Sequence, residues 1–233
     1  MGGCGVRSRA WRARPSGRPC APCCRICAGA RSSISAAATD GSADGRAARV
    51  LGLDVSARML ARARATTTDD AISYERADLE RLELAPGRFD LAYSSLAFHY
   101  VENAAGLVAA IRHGLAPGGR LVFSIEHPIY MAPTNPAWSP DACGTRIWPL
   151  DAYFREGART TDWLAKGVVK QHRTIGTTLN LLIASGFAIE HVEEFRPTPE
   201  QIAARPELAD ELERPMFLIV GARAPGAGSR EDR

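Results

Sequence analysis

From Arg49 onward the chain alternates between two kinds of pattern: short apolar runs of strand length, and stretches whose apolar residues recur at helical spacing. Arg49–Val55 (RVLGLDV) is an apolar run ending in an acid. Ser56 then opens SARMLARARA, where Met59, Leu60 and Ala63 share one helical face and Ser56 is placed to cap it. Ile72–Arg76 reads as a second strand, and a Pro86-Gly87 turn leads into an apolar run from Phe89, FDLAYSSLAFHYV. Ala104–Leu115 is an amphipathic helix stopped by Ala116-Pro117-Gly118-Gly119, and Arg120–Ile125 is the next strand. Residues 126–172 carry scattered Pro, Trp, Tyr and Gly without a period. A helix over Thr174–Ser185 capped by Gly186, a strand over Phe187–Glu194, a polar helix over Pro199–Glu213 and a strand over Met216–Ala222 complete the pattern.

Strands alternating with helices at this spacing make βαβ units. The expected fold class is therefore α/β, a doubly wound, mostly parallel sheet with helices on both faces. Ligands of such sheets sit at the carboxyl ends of the strands. Residues 126–173 then read as an insertion over that edge, suited to forming a substrate pocket.

Composition adds a seam. The chain has 233 residues and is 45% hydrophobic, enough for a buried core, and its net charge is only +3. Residues 1–47, however, hold eight Arg, two Asp and no Lys, while the remainder holds 21 basic and 24 acidic residues. We therefore expect an Arg/Ala/Cys-rich leader over 1–47 that is not natively folded, a folded domain over 48–223, and a frayed tail over 224–233. The overall charge gives no reason to expect nucleic acid or a membrane as partner, and no run of 18 apolar residues exists. The leader lacks the apolar core of a secretory signal, so a cytoplasmic protein is expected. Its Arg-rich, acid-poor text imitates a mitochondrial transit peptide, and Cys20, Cys23, Cys24 and Cys27 have the number of thiolates a zinc site needs. The adjacent Cys23-Cys24 pair is awkward for tetrahedral ligation, and no metal is expected.

Four stretches, LGLDVSARMLARARA, YERADLERL, FDLAYSSLAFHYV and GLAPGGRLVFSIEHP, resemble in order and separation the class I S-adenosylmethionine-dependent methyltransferases, the type-11 group in particular. The resemblance implies a seven-stranded sheet with its last strand antiparallel, S-adenosylmethionine as cofactor and a small molecule as methyl acceptor; it says nothing of the oligomeric state. It places Asp54 on the ribose hydroxyls, Val55 and Met59 against the adenine, Asp78 on the adenine amino group and the backbone of Leu79 on the ring. Ser94 and Ser95 meet the methionine part. Phe98, His99 and Tyr100 face the transferred methyl, and His99, His127 and His172 are the candidates for a catalytic base. Each has a plainer alternative: Asp54 and Asp78 as helix caps, Met59 as core, the serines as a polar strand exit, the histidines as structural or acceptor-binding groups. Arg173 is placed to pair with a substrate anion or with a surface acid.

One family element is missing. The first strand and its glycine turn, hhDhGxGxG, should stand some twenty residues before Asp54, where GARSSISAAATDGSADGRAA stands instead. So much Ala, Ser and Gly is not expected to form a buried strand, which leaves the first strand missing or non-native. The adjacent reading frame supplies the motif. When each codon takes the third base of one residue and the first two of the next, Ser32, Ser33 and Ser35 as TCN codons dictate Phe, Leu, Ile or Val, Ile34 permits Asp, and Ala36, Ala38 and Asp40 permit Gly. GC-rich codons, in keeping with 27 Arg against two Lys, turn Arg31–Gly45 into VVDLGCGYGWFCRW. The leader is thus expected to be out of frame up to about Arg46. Two further readings stay open: a non-catalytic module built on the same fold, and an inactive frameshifted product. A nicotinamide-dependent dehydrogenase is disfavoured, because GxGxxG is absent in either frame.

Overall fold

The computed structural model describes residues 33–39, 47–161 and 166–227, with side chains from Arg49 onward. The four leader cysteines proposed above lie outside these residues. Ser33–Thr39 form β1 and Ala47–Asp54 form β2. Helix α1 (Ala57–Thr66) starts as the sequence predicts: Ser56 is extended and its hydroxyl accepts the Met59 N–H. β3 (Ile72–Arg76) returns parallel to β2, pairing Val50 with Ile72 through Asp54 with Arg76. Gly52 stands in the middle of β2 for a steric reason. The Tyr74 ring lies 2.7 Å from where a Cβ would sit.

β4 (Phe89–Ser95), α2 (Ala104–Gly114, capped by Asn103) and β5 (Leu115–Glu126) form the next βαβ unit, β4 and β5 being parallel. The expected stop at Ala116–Gly119 is absorbed into β5 as a bulge: Leu115 pairs with Phe89 and Arg120 with Leu91, while Gly118 takes φ +77 and donates its N–H to the Pro225 carbonyl.

Within the insertion, α3 (Pro128–Met131) precedes two short hairpins, β6 (Ser139–Pro140) with β7 (Arg146–Ile147) and β8 (Gly157–Thr161) with β9 (Val168–His172). β9 alternates, with Lys170 and His172 buried and Val169 facing outward. α4 (Ile175–Ala184) begins at the Thr174 cap and ends before Gly186, which takes φ +77. β10 (Ala188–Glu194) follows. The single helix expected over Pro199–Glu213 is broken: α5 (Pro199–Ala204) has a capping box of Thr198 and Gln201, and Pro206, which has no N–H to continue the ladder, starts a 3-10 turn over Pro206–Leu212. β11 (Phe217–Arg223) closes the chain's main sheet.

The strands order as β10-β11-β5-β4-β1-β2-β3. Between β5 and the helices of one face, Leu107, Ile111, Leu121, Phe123 and Leu182 are almost fully buried, with Leu218 and Val220 continuing the layer on β11. β11 runs antiparallel to both its neighbours, as the family pattern implies.

β1 overturns one expectation and sharpens another. The stretch expected to make no buried strand does pair in the central slot, because two neighbours there offer it complete ladders, and backbone pairing overrides weak propensity. It runs the wrong way, however, antiparallel to both β2 and β4. Seven residues, 40–46, link β1 to β2. A parallel return needs a crossover of about a dozen residues or more, so this linker permits only a hairpin. Two cavities, of about 500 and 280 Å³, are both lined by Leu51 on β2 and Phe89 on β4, and the smaller also reaches Asp78. A central strand of an α/β sheet is normally branched and apolar; SISAAAT is not.

Candidate active site

Parallel strands bring their carboxyl ends to one edge, and three polar residues meet there. Asp54 is the last residue of β2 and is buried; its Oδ1 accepts the Ser56 N–H at 2.7 Å, and Oδ2 makes no bond among the described residues. Burial pushes its carboxyl upward, opposed by the Ser56 hydrogen bond. Val55 beside it is 55% exposed, and Met59 is half-buried in the first turn of α1. Asp78, just past β3, is exposed; its Oδ1 accepts the Glu80 N–H at 3.0 Å and caps the 3-10 turn Leu79–Arg81, while Leu79 packs on the core. Ser94 near the end of β4 is fully buried with no partner for its hydroxyl, and Ser95 is half-buried. Asp78 therefore caps its turn, while Asp54 holds the backbone of Ser56, the cap of α1, and neither bond uses the second oxygen.

The rim beyond β4 is strained. Leu96 adopts φ +52, which costs a non-glycine residue roughly 1–2 kcal/mol. Its N–H is held by the Ser124 carbonyl at 3.0 Å. This kink turns Phe98–Tyr100 under the sheet edge, and nothing in the sequence pattern announces it. Glu80 pins the following loop by accepting the N–H groups of Glu102 and Asn103 at 2.6 and 2.9 Å.

The three histidines occupy different surroundings. His99 is buried; its Nδ1 accepts the Glu126 N–H at 3.3 Å and its Nε2 has no partner. Burial first, then the charges of Lys170 and Arg173, lower its pKa to about 3. It lines a cavity of about 30 Å³ with Phe98, Phe123, Glu126, Gln171 and Arg173. His127 caps α3: its Nδ1 accepts the Ile129 N–H at 3.1 Å and its Nε2 meets Glu194 at 2.9 Å, so both nitrogens are occupied. His172 donates from Nε2 to the Tyr153 carbonyl at 2.8 Å and its buried Nδ1 has no partner. Burial lowers the pKa of both.

Behind His99 stands a buried ion pair, Lys170 Nζ to Glu126 Oε1 at 2.5 Å. Arg173 is held by two bonds from Nη2, to the carbonyls of Val101 and Glu102 at 2.6 and 2.8 Å. Glu126, Lys170 and Gln171 did not emerge from sequence. The available signal was Lys170 itself, one of two lysines in a chain that otherwise uses Arg.

A family model described as a methyltransferase domain matches residues 27–123. The crystal structure of an S-adenosylmethionine-dependent methyltransferase from Mesorhizobium loti is 67% identical, covers 76% of this chain and 81% of its own, and superposes with a TM-score of 0.73. The chain belongs to the S-adenosylmethionine-dependent methyltransferases. A Listeria monocytogenes structure assigned to the same enzyme class is 36% identical over 78% of this chain and 83% of its own, with a TM-score of 0.69. Among curated relatives, the malonyl-[acyl-carrier protein] O-methyltransferase of Erwinia billingiae is 30% identical over 130 residues, 54% of this chain and 49% of that protein.

The methyltransferase cofactor is S-adenosylmethionine, and the residues present fit half of it. Asp54 has an acceptor oxygen with no bond among the described residues, Asp78 stands one strand over, and Ser94 offers an orphaned buried hydroxyl. The methionine half lacks its cradle among the described residues. At this edge stands the beginning of β1 and not its end, with Ser33 opposite Ser95 and Ile34 opposite Leu53, so no strand runs into a glycine turn there.

Proposed function

We propose that this methyltransferase domain carries the methyl group of S-adenosylmethionine to a small-molecule acceptor seated between the carboxyl edge of β4 and β5 and the 126–173 insertion. The observation that carries this reading is the alignment of Asp54, Asp78 and Ser94 along one edge, beside the cavity under His99. The cofactor supplies an electrophilic methyl on a sulfonium. What remains for the chain is to hold the donor's ribose and adenine on Asp54 and Asp78, exclude water with Val55, Met59 and Leu79, and align an acceptor. A base is optional. The occupied nitrogens of His127 fit it for holding α3, and His172 is tied to the Tyr153 carbonyl, so His99, which lines the cavity, is the histidine we assign to the acceptor. The Erwinia billingiae relative is named for a malonyl group on an acyl-carrier protein, an acyl acceptor, and nothing here favours nucleic acid.

The reversed β1 favours a second statement: the chain as written grips the donor weakly. Calorimetric titration with S-adenosylhomocysteine is expected to give no saturable binding in the micromolar range, and Asp54→Ala to change nothing measurable. Micromolar binding by the chain as written removes this second statement. Absence of binding after the shifted motif is restored removes the first.

A further inference from the structure

We propose that the group methylated is a carboxylate, recognised by the Nε2–H of His99 and the guanidinium of Arg173 at the cavity beneath the rim of β4. The inference rests on the methyl-transfer reading and names the chemistry of its acceptor.

The tautomer of His99 decides the matter. A backbone N–H can only donate, so the Nδ1 that faces the Glu126 N–H must carry a lone pair, and a neutral imidazole then has its proton on Nε2. His99 is 97% buried by its 3% exposure, and that Nε2–H has no acceptor. A buried unmade donor costs roughly 1–3 kcal/mol and marks a place where a ligand belongs. What it needs is an acceptor atom. A ring in this state is no base, since one nitrogen holds its proton and the other is committed to the backbone.

The charges around it select the acceptor. Glu126 is paired with Lys170 at 2.5 Å, and with the Arg173 guanidinium on the cavity wall the cations around His99 outnumber that carboxylate. Glu156, Glu80 and Glu102 also act on Arg173, and burial is the larger influence on it. The wall offers the His99 N–H, the Arg173 guanidinium and the Gln171 amide as donors, and its one carboxylate, Glu126, is held by Lys170, so the site suits an oxygen that is already anionic. A carboxylate is ionised at neutral pH without help, whereas an alcohol or an ammonium must first lose a proton. Its size also fits: about 30 Å³ holds roughly two waters, enough for a carboxylate head and too little for a whole metabolite, whose remainder would extend under the insertion. In the reaction a carboxylate oxygen lone pair forms the new C–O bond to the methyl carbon. The S–CH3 bond breaks with its electron pair staying on sulfur, so sulfonium and carboxylate charges vanish together and no proton moves.

The test uses the full chain and two probes, trans-aconitate and malonyl-N-acetylcysteamine, each against its neutral methyl ester, titrated calorimetrically. The acids are expected to bind and the esters to bind at least tenfold more weakly. His99→Leu and Arg173→Met should each weaken the acids at least tenfold and leave the esters unchanged, and His99→Gln, which keeps an N–H donor, should recover part of the loss. Thermal midpoints check that the variants fold; if they do not, the acid-to-ester ratio of the parent chain decides alone. Equal binding of acids and esters, no binding of either acid, or folded variants that bind as the parent does would overturn the proposal. The parent reading fails separately. A frame-restored chain that methylates an amine or phenol and no acid keeps methyl transfer and sinks the carboxylate; one that binds acids as described yet forms no labelled methyl product with any acceptor does the reverse.

Discussion

Two strands lie side by side in the middle of this sheet. β2 reads AARVLGLD, feeds a capped helix and ends in the acid that meets the binding edge. β1 reads SISAAAT, is bonded along both sides, runs opposite to its neighbours and delivers nothing to that edge. A slot in a sheet can be filled by backbone alone, because every residue but proline carries one donor and one acceptor. A site cannot, since it needs a strand of the right direction ending in the right side chains.

Repairing β1 is therefore the change of largest effect. Replacing Ser32–Gly45 by the shifted text is expected to raise unfolding free energy by on the order of 5 kcal/mol, a large share of what a whole domain has, and to bring S-adenosylhomocysteine binding into the micromolar range. Denaturant melts and calorimetry check the two parts. Sequencing the locus tests the cause, since codons at Ser32–Gly41 that do not spell the motif in the neighbouring frame end the frame argument.

The asymmetry also governs how much could be read from sequence. The positions of Asp54, Asp78 and Ser94 and the cap Ser56 were legible because a strand end, a turn and an N-cap are set by residues close in sequence. Pairing direction was not, because it depended on the length of the linker at 40–46 and on empty ladders far away in sequence. The hairpin β8–β9 escaped because its inward residues are Lys170 and His172, polar groups that give no apolar period. Their burial makes sense only beside Glu126 and Tyr153.

Within the sound half, the largest single-residue effect is expected at the buried pair. Lys170→Met leaves Glu126 buried without its cation, costing about 3–5 kcal/mol, and adding Glu126→Gln should return most of it. Urea unfolding of the parent chain and the two variants measures this, and a loss under 1 kcal/mol would show that the pair is wet in solution. Acid comes next. Burial holds His99 near 3 in the folded chain against about 6.5 unfolded. Below pH 6.5 the unfolded chain binds a proton that the folded chain refuses, so stability is full above 6.5 and falls as pH drops toward 3, by about 1.4 kcal/mol per unit. His127 and His172, also lowered, act in the same direction. Unfolding at pH 7, 6 and 5 gives the slope, and His99→Gln should flatten it by one proton.

The smallest effect asks most directly whether the fault at β1 spreads. Ser56 caps α1, next to the reversed strand, and Thr198 caps α5, away from it; each hydroxyl accepts a backbone N–H three residues on, at 3.3 Å in both cases. The capped bond is the same in both, although Thr198 also has the reciprocal Gln201 bond, and Ser56→Ala and Thr198→Ala should each cost about 1 kcal/mol. That equality holds only if β2 and α1 are as firmly seated as the far side of the sheet. Should Thr198→Ala cost its share while Ser56→Ala costs nothing, the region from Arg49 to Thr66 is already unfolded at equilibrium, and the damage extends through the strand that carries Asp54. Amide exchange at Met59, whose N–H the Ser56 hydroxyl accepts, would then proceed far faster than at Gln201, its counterpart on α5.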